Sequence, residues 1–457
     1  MTRAVVLFTR DLRVSDHAAL AHAVRASEEV IPLFVLEPTL LAGSCGSPNR
    51  LSFLLDCLRD LDGSLAERGA HLLVRRGEVV AEALAVARRW KAGALYISED
   101  ATPYAADRLR RLQHACRQEG ITLHRLPGIT VVAPGELAPA GADHYRVFTP
   151  YWRLWRARAP ATATRAPRAI AVPAGLPATG VPSLAGLTRG APSASLPPGG
   201  ESAGRALLAR WVRARLRHYG SLHDDLAAAA TSSLSAHLHF GSLAPATVLA
   251  RTLRAPGGEE FARQLCWRDF HHQVLAARPD LPHADYRPRG DRWREDEQDA
   301  HAWREGLTGY PIVDAGMRQL AGEGFMHNRA RLIVASFLTK TLYLDWRIGA
   351  AHFARLLVDA DVANNVGNWQ WVAGTGNDTR PNRVLNPLRQ ATRFDPRGDY
   401  VRRHVPELAG IEGAAVHRPW LLPARVRAGL CYPAPIVDLD EGPALLRAAR
   451  YGSRSPS

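Results

Sequence analysis

The sequence predicts an N-terminal α/β domain with a doubly wound parallel sheet, joined by a long linker to an all-α C-terminal domain. The first domain is predicted because short apolar runs alternate with helical patterns along residues 1–131. The second is predicted because apolar residues recur at helical spacing from about residue 201 to residue 450. Both regions are long enough to bury a core of their own.

The apolar runs suited to buried parallel strands are residues 4–8, 30–36, 71–74 and 94–97. Helical patterns lie between and after them, at residues 16–26, 49–68, 78–91 and 103–119. The turn after the first strand reads Thr-Arg-Asp-Leu-Arg, without the glycines of a dinucleotide-binding turn. A ligand at the carboxyl edge of the sheet remains open, but the usual dinucleotide site is not predicted.

The linker is predicted over residues 132–200. Residues 157–200 are rich in Ala, Pro and Gly and show no periodicity, which favours an extended segment along the surface, with a disordered linker as the alternative. After the first helix of the C-terminal domain, further helices are expected near 245–254, 259–277, 296–305, 312–322, 326–343, 349–358 and 440–450.

The composition of the chain indicates the cellular compartment in which the protein is expected. Of the 457 residues, 46% are hydrophobic and 22% charged, as in ordinary globular proteins, and no apolar run approaches the length of a membrane span. The N-terminus is too short in apolar residues for a secretory signal. Five scattered cysteines without CxxC spacing favour a reducing cytoplasm and argue against a structural metal.

The net charge of +14 is the most informative global number. Such an excess of bases favours a polyanionic partner, most simply nucleic acid. Almost every base is Arg, with Lys only at 91 and 340, which is typical of codon bias. Codon bias explains the choice of Arg but not the excess over acids, so nucleic acid is favoured over a merely basic surface.

Residues 359–371 have an unusual composition, with two Asp, three Asn and two Trp in one short stretch. Carboxylate and amide groups can bind the edge of a planar polar ring, and indoles can cover its face. The alternative is an asparagine-rich turn whose tryptophans fill the core.

A second polar face is predicted on the helix at 259–277. Gln264, Trp267, Arg268 and His271 are spaced i, i+3, i+4 and i+7, which places them on one face. An indole beside hydrogen-bonding groups suits stacking on an extruded base and reading of its edge. A half-buried helix with Trp267 in the core is the alternative.

Three other clusters favour anionic ligands. Asn328, Arg329 and Arg331 open a helix, where Arg331 is suited to a reduced ring or a buried carboxylate and Arg329 to a phosphate; helix-end salt bridges are the alternative. The hydroxyl-rich run 231–235 is suited to a phosphate or to an ordinary helix cap. The clustered arginines predicted to contact a phosphate backbone are Arg287, Arg289, Arg292, Arg294, Arg380, Arg383, Arg389, Arg393 and Arg397.

Several motifs resemble the photolyase/cryptochrome family, in order along nearly the whole chain. They are Trp-Arg-Asp-Phe at 267–270, Gly-Tyr-Pro-Ile-Val-Asp at 309–314, Met-His-Asn-Arg at 326–329, Asn-Trp-Gln-Trp at 368–371, Asn-Pro at 386–387, Phe-Asp-Pro at 394–396, Arg-Asp-Leu-Arg at 10–13 and Tyr-Arg-Val-Phe-Thr-Pro at 145–150. Within the family, the chain looks most like the bacterial class I enzymes that repair cyclobutane pyrimidine dimers.

The resemblance implies an antenna domain and a helical domain that holds FAD. It implies light-driven electron transfer from reduced FAD to a flipped-out dimer, with Trp267 flanking the dimer, Gln264 bonding its edge, and Asn328 and Asn365 beside the reacting rings. By the same resemblance, the residues that bind FAD are Tyr219, Thr231, Ser232, Ser233, Leu234, Ser235, Asn328, Arg331, Asp359, Asp361 and Asn365.

The resemblance further implies an electron relay through Trp369, Trp346 and Trp293 to the surface. An antenna chromophore is implied at Phe34, Arg50 and Asp100, with a deazaflavin favoured and methenyltetrahydrofolate, a flavin or an empty site as alternatives. The residues expected to contact DNA are Arg268, Arg329, Trp267, Arg383 and Arg389.

The chain departs from the family pattern at two positions. Gln264 stands where dimer-repair enzymes have Glu, and Leu332 where they usually have Met. Repair of 6-4 photoproducts is therefore an alternative, although those enzymes carry His at the positions of Asn328 and Leu332. A cryptochrome-like photoreceptor is the other alternative, disfavoured by Asn365 and the net positive charge. The expected protein is a cytoplasmic monomer that binds UV-damaged DNA without an obligate protein partner.

Overall fold

The computed structural model describes residues 1–43, 46–158 and 163–451, with the side chains of 449 and 451 excepted. Its N-terminal part is a five-stranded parallel sheet of order β3-β2-β1-β4-β5, which confirms the predicted fold class. The strands are β1 (Arg3–Phe8), β2 (Glu29–Leu36), β3 (Leu73–Arg76), β4 (Ala94–Ser98) and β5 (Thr122–Leu126). The third strand begins two residues later than expected, and β5 was not predicted, because its polar residues are only partly buried at the sheet edge.

Helices cover both faces of this sheet. They are α1 (Ala18–Ala26), α2 (Pro38–Ala42), α3 (Pro48–Ala66), α4 (Val79–Arg89) and α5 (Pro103–Gln118). Successive residues of β1 enter two different cores, with Val6 and Phe8 on one face and Val5 and Leu7 on the other. Burial on both faces is what makes the strands read as continuous apolar runs.

The connection between the two parts is ordered where the structure describes it. After α6 (Phe148–Ala157), residues 163–200 contain one short 3₁₀ turn and otherwise run along the sheet region. Ile170 donates its backbone N–H to the Arg68 carbonyl at 2.7 Å, and Val30 donates to the Ala171 carbonyl at 2.8 Å. Residues 163–200 are therefore hydrogen-bonded to the sheet region, and α6 lies inside the span predicted as linker. Residues 159–162 and Cys45 lie outside the described chain.

The remainder is helical, as predicted. Its helices are α7 (Glu201–Ala214), α8 (Tyr219–Leu222), α9 (Ser235–His239), α10 (Pro245–Thr252), α11 (Gly258–Ala277), α12 (Glu297–Glu305), α13 (Pro311–Glu323), α14 (Asn328–Ser336), α15 (Trp346–Leu356), α16 (Val362–Ala373), α17 (Pro387–Phe394), α18 (Asp399–His404), α19 (Ala424–Arg427) and α20 (Glu441–Tyr451). One apolar core joins most of them. Within the described ranges, no helix is long and apolar enough to cross a membrane.

Two helices differ from the sequence prediction in a way that shapes the site. The helix expected over 326–343 ends at Ser336 and continues as one π-helical turn, Phe337–Thr341. The stretch 359–371 proves to be mostly helix, because Asp361 caps α16 by accepting the N–H of Asn364 at 2.9 Å. The alternative of an asparagine-rich turn is therefore wrong.

The two parts meet closely along the turn after β1. Leu12 donates its N–H to the Phe240 carbonyl at 3.2 Å, and the Arg13 guanidinium donates to the Gly241 carbonyl at 2.9 Å. Gly241 has φ +66°, and a Cβ there would lie 1.9 Å from the Arg10 carbonyl oxygen. Only glycine permits this approach, which brings the carboxyl edge of the sheet against the helical part.

Candidate functional site

A cavity of about 70 Å³ opens between α14, α15 and α16. Its wall combines amide, carboxylate and guanidinium groups with apolar and aromatic side chains, the mixture typical of a cofactor site. The lining residues are Asn328, Arg331, Leu332, Ala335, Phe353, Leu357, Asp359, Ala360, Asn364, Asn365, Asn368, Trp369 and Val372. Among them are four of the residues predicted around a flavin ring: Asn328, Arg331, Asp359 and Asn365.

Helix α16 contributes one polar face to this cavity. Asn364 and Asn368 are one turn apart, and the Asn368 amide donates to the Asn364 carbonyl at 2.7 Å. The Asn365 amide nitrogen donates to the Ala350 carbonyl of α15 at 2.9 Å, so its side chain is held in one orientation. That bond uses one of the two N–H groups of the amide, and the free amide oxygen can accept a hydrogen bond from a ring N–H.

The charge at the cavity wall comes from Arg331 and Asp359. The guanidinium donates to both carboxylate oxygens, at 3.1 and 2.8 Å, and to the Met326 carbonyl at 2.8 Å. Asp359 is buried, whereas the Arg331 side chain is 25% exposed. The ion pair fixes the Arg331 guanidinium beside the cavity, where it can donate hydrogen bonds to an anionic ring while Asp359 balances its charge.

Asp361 does not line this cavity. Its carboxylate is ion-paired with Arg10 from the turn after β1, and His272 Nε2 lies 3.3 Å away. Burial acts to raise the pKa of Asp361, but the charges of His272 and Arg10 hold it well below its ordinary value. The side chain therefore caps α16 and ties the sheet region to the helical region.

The predicted phosphate-binding run lies apart from the cavity lining. Thr231, Ser232 and Ser235 are half-buried, and Ser233 is exposed with a backbone φ of +52°. Tyr219 packs edge-on against Trp211 at 5.7 Å, and the Trp211 indole donates to the Ala230 carbonyl next to this run. Tyr219 and the hydroxyl run are thus neighbours, whereas Leu234 is buried in the core.

Trp267 and Gln264 occupy the accessible side of α11. Gln264 is exposed, and Trp267 is half-buried with one face stacked on Phe148 at 3.7 Å and 2° between the ring planes. His271 of the same helix packs against Gly367 of α16, where an added Cβ would lie 2.2 Å from the imidazole. Phe148 had no chemical signature of its own in the sequence, and its role as the support of Trp267 appears only in the fold.

Arg268, which was predicted to contact DNA, is buried in the structure. Its guanidinium donates to the carbonyls of Ile129 at 2.6 Å and Leu238 at 3.3 Å, and burial lowers its pKa. Helix α11 packs on both sides, so the i, i+3, i+4, i+7 pattern does not mark one exposed face. Spacing predicted the direction of the Arg268 side chain but not the segments that cover it.

The other predicted DNA contacts are accessible to different degrees. Arg383 is exposed and lies over the Trp371 ring at 5.4 Å, and Arg389 is exposed on α17. Arg329 is half-buried and pairs with Asp224 at 3.1 and 2.6 Å. The charge of Arg329 is therefore already compensated, whereas Arg383 and Arg389 face solvent.

The predicted relay begins at the cavity. Trp369 lines it, and its indole Nε1 is buried without a hydrogen-bond partner among the described residues. The ring rests on Gly349, one helical turn after Trp346. Trp346 is fully buried and donates to Asp285 at 2.9 Å, and Trp293 is half-buried.

One further tryptophan lies beside this cavity and was not predicted. Trp303 of α12 packs edge-on against Trp369 with ring centroids 6.0 Å apart, and its indole donates to the Val334 carbonyl at 3.0 Å. No motif in the sequence includes Trp303, because it belongs to an ordinary amphipathic helix. Trp303 is fully buried, so its contact with Trp369 is part of the packed core.

The predicted antenna residues lie at the carboxyl edge of the sheet. Phe34 is in β2, and Asp100 follows β4 and pairs with Arg10 at 3.2 Å. Arg50 of α3 donates to the Leu357 carbonyl at 3.0 Å, which joins the sheet region to the wall of the cavity. All three side chains are at the junction of the two parts of the chain. No group of three metal-ligating side chains is found within the described ranges.

Comparisons with known proteins cover both parts of the chain. The family model "DNA photolyase" matches residues 4–171, and "FAD binding domain of DNA photolyase" matches residues 261–450. The deoxyribodipyrimidine photo-lyase of Streptomyces griseus is 53% identical over 98% of this chain and 99% of its own length. That of Escherichia coli is 32% identical over 99% of both chains.

Solved structures show the same architecture. A bacterial class III photolyase from Agrobacterium tumefaciens superposes with a TM-score of 0.91 at 34% identity, over 98% of this chain and 97% of that one. A cryptochrome from Synechocystis sp. superposes with a TM-score of 0.90 at 30% identity, over 98% and 99%. An archaeal photolyase from Sulfolobus tokodaii, solved with two FAD molecules, gives a TM-score of 0.86 at 30% identity, over 98% and 99%.

Proposed function

The chain belongs to the photolyase/cryptochrome family, and on that premise we propose that it is a light-driven DNA repair lyase that splits cyclobutane pyrimidine dimers. Relatives from Streptomyces griseus and Agrobacterium fabrum, which match over 99% and 94% of their own length, are named deoxyribodipyrimidine photo-lyases. A class I enzyme stays a prediction, because a class III photolyase is among the solved relatives.

The single observation that carries the proposal is the cavity between α14, α15 and α16. Its donor set fits FAD, since Arg331 offers a cation, Asn365 a hydrogen-bond acceptor and the orphaned Trp369 Nε1 a buried donor for a ligand. FAD held here in its reduced, anionic form would supply the light-excited electron needed to open a cyclobutane ring. The protein supplies position, charge and exclusion of water.

Each proposed binding residue has a separate task. Arg331, fixed by Asp359, favours the anionic ring, and Asn328 and Asn365 orient its polar edge. Asp361 acts from outside the cavity by capping α16. Support for the remainder of the cofactor comes from hydroxyls and backbone near the start of α9, at Tyr219, Thr231, Ser232, Ser233, Leu234 and Ser235.

The lesion is proposed to stack on Trp267. Phe148 holds the indole in place on one side, and exposed Gln264 reaches the edge of a flipped pyrimidine. Arg383 and Arg389 contact the phosphates on either side, with Arg329 in a weaker role because of Asp224. UV-damaged DNA is therefore the proposed partner.

A tryptophan relay is proposed to serve activation and not repair. Trp369, Trp346 and Trp293 would carry an electron inward from the surface, and each step leaves the outer indole oxidised. Replacing Trp293 by Phe should abolish light-driven reduction of the bound cofactor and leave repair by chemically reduced protein unchanged. Steady-state absorbance under illumination measures the first and an oligonucleotide assay the second. Loss of both activities would contradict the assignment of Trp293.

We propose a second, light-harvesting chromophore near Phe34, Arg50 and Asp100. A deazaflavin is favoured, with methenyltetrahydrofolate as the main alternative; the relative solved with two FAD molecules adds a flavin as a candidate. Chromatography and mass spectrometry of chromophores released from purified protein, with the Arg50→Ala variant as the comparison, distinguish these. Equal release from both proteins would move the site elsewhere.

The proposed setting is the cytoplasm, with the protein acting as a monomer without an obligate partner. Cys57, Cys116 and Cys266 are buried and unpaired, as a reducing compartment allows. Light scattering of the FAD-loaded protein tests the oligomeric state, and a stable dimer would contradict it.

The decisive experiment uses anaerobic, chemically reduced protein and an oligonucleotide with one thymine dimer. Half is kept dark, half is lit with blue or near-UV light, and restored thymines are counted by chromatography. Light-dependent restoration is expected. No restoration despite reduced FAD would overturn dimer repair, and the same assay on a 6-4 photoproduct would then separate that activity from a cryptochrome-like photoreceptor.

A further inference from the structure

Tyr343 lies directly against the outermost tryptophan of the proposed relay. Its ring centroid is 5.0 Å from that of Trp293, with 43° between the planes. Within the described ranges, it is the one aromatic ring found in contact with Trp293. Trp293 is half-buried, but Tyr343 is only 3% exposed. The contact therefore joins the outermost tryptophan to a side chain that is shielded from water.

The backbone holds Tyr343 in an unusual conformation to achieve this contact. It follows the π-helical turn Phe337–Thr341 and has φ +56°, a region that bulky residues rarely adopt. A parallel bridge pairs Arg294 with Leu344, and the Arg294 N–H donates to the Tyr343 carbonyl at 2.9 Å. The segments that carry Trp293 and Tyr343 are therefore fastened to each other.

The phenol has a built-in proton acceptor. Tyr343 Oη donates to Asp291 Oδ1 at 3.0 Å. The Asp291 carboxylate is held in turn by Arg450, whose Nε and Nη2 lie 2.7 and 2.8 Å from its two oxygens. Both partners of that ion pair are buried, at 5% and 1% side-chain exposure, so the acceptor is fixed and shielded from water.

Burial, helped by the negative charge of Asp291, raises the pKa of Tyr343 above its ordinary value. The phenol is therefore neutral at physiological pH, and it loses an electron readily only if its proton leaves at the same time. A carboxylate already hydrogen-bonded to the hydroxyl is the group that can take that proton.

We propose that Tyr343 is the terminal electron donor of the relay, with Asp291 as its proton acceptor. The inference rests on the relay part of the proposed function. The oxidant is the Trp293 radical cation left when the relay has delivered its electron inward. One electron passes from the Tyr343 ring to Trp293, the Oη–H bond breaks, and the proton moves to Asp291 Oδ1. Trp293 is restored as a neutral indole, and Tyr343 becomes a neutral phenoxyl radical.

This transfer would change how long the separated charge survives. A lone Trp293 cation can recombine by electron motion alone, whereas return from Tyr343 also requires the proton to come back from Asp291. The buried phenoxyl radical is then the species that an external reductant must quench. A purely structural tyrosine would fill the same space without passing through this state.

The first test is electron paramagnetic resonance on oxidised, FAD-loaded protein that is illuminated and frozen. Wild-type protein is expected to give a tyrosyl signal that narrows when its tyrosines are ring-deuterated, so this arm does not depend on any variant folding. Tyr343→Phe should give a tryptophanyl signal instead. Tyr310→Phe is the matched control, since Tyr310 is also buried and hydrogen-bonded, to the Val437 carbonyl at 2.7 Å, and should behave as wild type. A tryptophanyl signal in wild type, or a tyrosyl signal that persists in Tyr343→Phe, would overturn the proposal.

The second test uses protein without bound cofactor. Cofactor-free protein is oxidised by a photoexcited ruthenium polypyridyl with a sacrificial acceptor, and the decay of the tryptophan radical is followed by transient absorption. Decay is expected to be slower in deuterated water and in Tyr343→Phe and Asp291→Asn, and unchanged in Tyr310→Phe. Identical decay in all four proteins would overturn the role of Tyr343.

Failure of this inference is distinguishable from failure of the proposed function. Repair of a thymine dimer by chemically reduced protein does not use the relay. Intact repair with no tyrosyl radical would contradict only the role of Tyr343 as terminal electron donor. Absence of repair with a normal tyrosyl radical would contradict the lyase assignment but not the role of Tyr343.

Discussion

At the scale of single residues, neighbours in sequence have opposite fates on α11. Trp267 is half-buried and stacks on Phe148, whereas Arg268 is buried and donates hydrogen bonds to backbone carbonyls. The difference arises because the helix is covered on more than one side, by α6 and by α16. Accessibility, more than residue type, therefore decides which of these side chains can meet DNA.

Replacing Trp267 by Ala should weaken binding to dimer-containing DNA far more than binding to intact duplex. Stacking of a base on an aromatic side chain contributes about 1–3 kcal/mol, and only a flipped lesion can use it. Fluorescence anisotropy with the two DNAs measures the ratio. Trp90→Ala, on the far side of the sheet region, is the control and should change neither affinity. Equal losses on both DNAs would remove Trp267 from the lesion pocket.

At the scale of elements, the site depends on how closely α15 and α16 approach. An added Cβ at Gly349 would lie 2.1 Å from the Trp369 ring, so no other residue fits between these helices without moving the indole. The Asp361 cap fixes where α16 begins. The starting residue in turn sets the directions of the Asn364, Asn365 and Asn368 side chains. Both details concern contact between elements and not the propensity of either one.

We expect Gly349→Ala to push Trp369 into the cavity and to reduce FAD retention. Overpacking of this kind costs roughly 1–3 kcal/mol and here also removes ligand volume. The ratio of flavin to protein absorbance after purification measures the effect, together with the melting temperature. Gly322→Ala on α13 is the control, because nothing lies within 4 Å of its added Cβ. Normal flavin content in Gly349→Ala would refute the packing argument.

The start of α14 predicts a dependence of stability on pH. His327 Nδ1 accepts the Arg329 N–H at 3.1 Å, and burial lowers the pKa of His327 to about 4. Its unfolded pKa is about 6.5, so between these values the unfolded chain binds more protons. The free energy of unfolding should therefore fall as pH drops from about 6.5 to 4.

Asn at position 327 can keep the cap but cannot titrate, so His327→Asn should reduce this pH slope by up to about one proton. Urea unfolding at several pH values measures it. The matched control is His301→Asn, which replaces an exposed histidine on α12. An unaltered slope in His327→Asn would show that His327 does not titrate in this range.

At the scale of the whole molecule, charge is distributed unevenly between structural and exposed roles. The net charge is +14, yet the half-buried Arg10 and the buried Arg13 and Arg50 hold the two parts of the chain together. The charges left for DNA are those that face solvent, including Arg383 and Arg389. Total charge therefore overstates the number of phosphate contacts.

Binding to DNA should weaken steeply with salt, because each neutralised phosphate releases counterions. Arg383→Gln should reduce the slope of log affinity against log salt concentration by about one, whatever the DNA sequence. Titrations at several salt concentrations measure the slope. Arg117→Gln on α5 is the control for loss of a surface charge away from the site. Equal slopes for Arg383→Gln and wild type would exclude a phosphate contact at Arg383.

The sequence by itself determined the fold class, because periodicity records burial: strands covered on both faces appear as apolar runs, and helices as repeats of three to four. The motifs that resemble the photolyase/cryptochrome family also singled out Asn328, Arg331, Asp359, Asn365 and Trp369, and the structure brings all five to one cavity. The sequence missed β5, whose edge position leaves its pattern weakly apolar, and α16, whose amides hide its helical period.

The tertiary structure alone decided which polar groups are free and which are used up. Arg268 and Asp361 have the same chemistry in the sequence as residues of a binding site, but their partners come from distant segments. Phe148 becomes the support of Trp267, and Tyr343 the neighbour of Trp293 and Asp291, only through contacts made across the fold. Local spacing sets the direction of a side chain, and long-range packing sets what it meets.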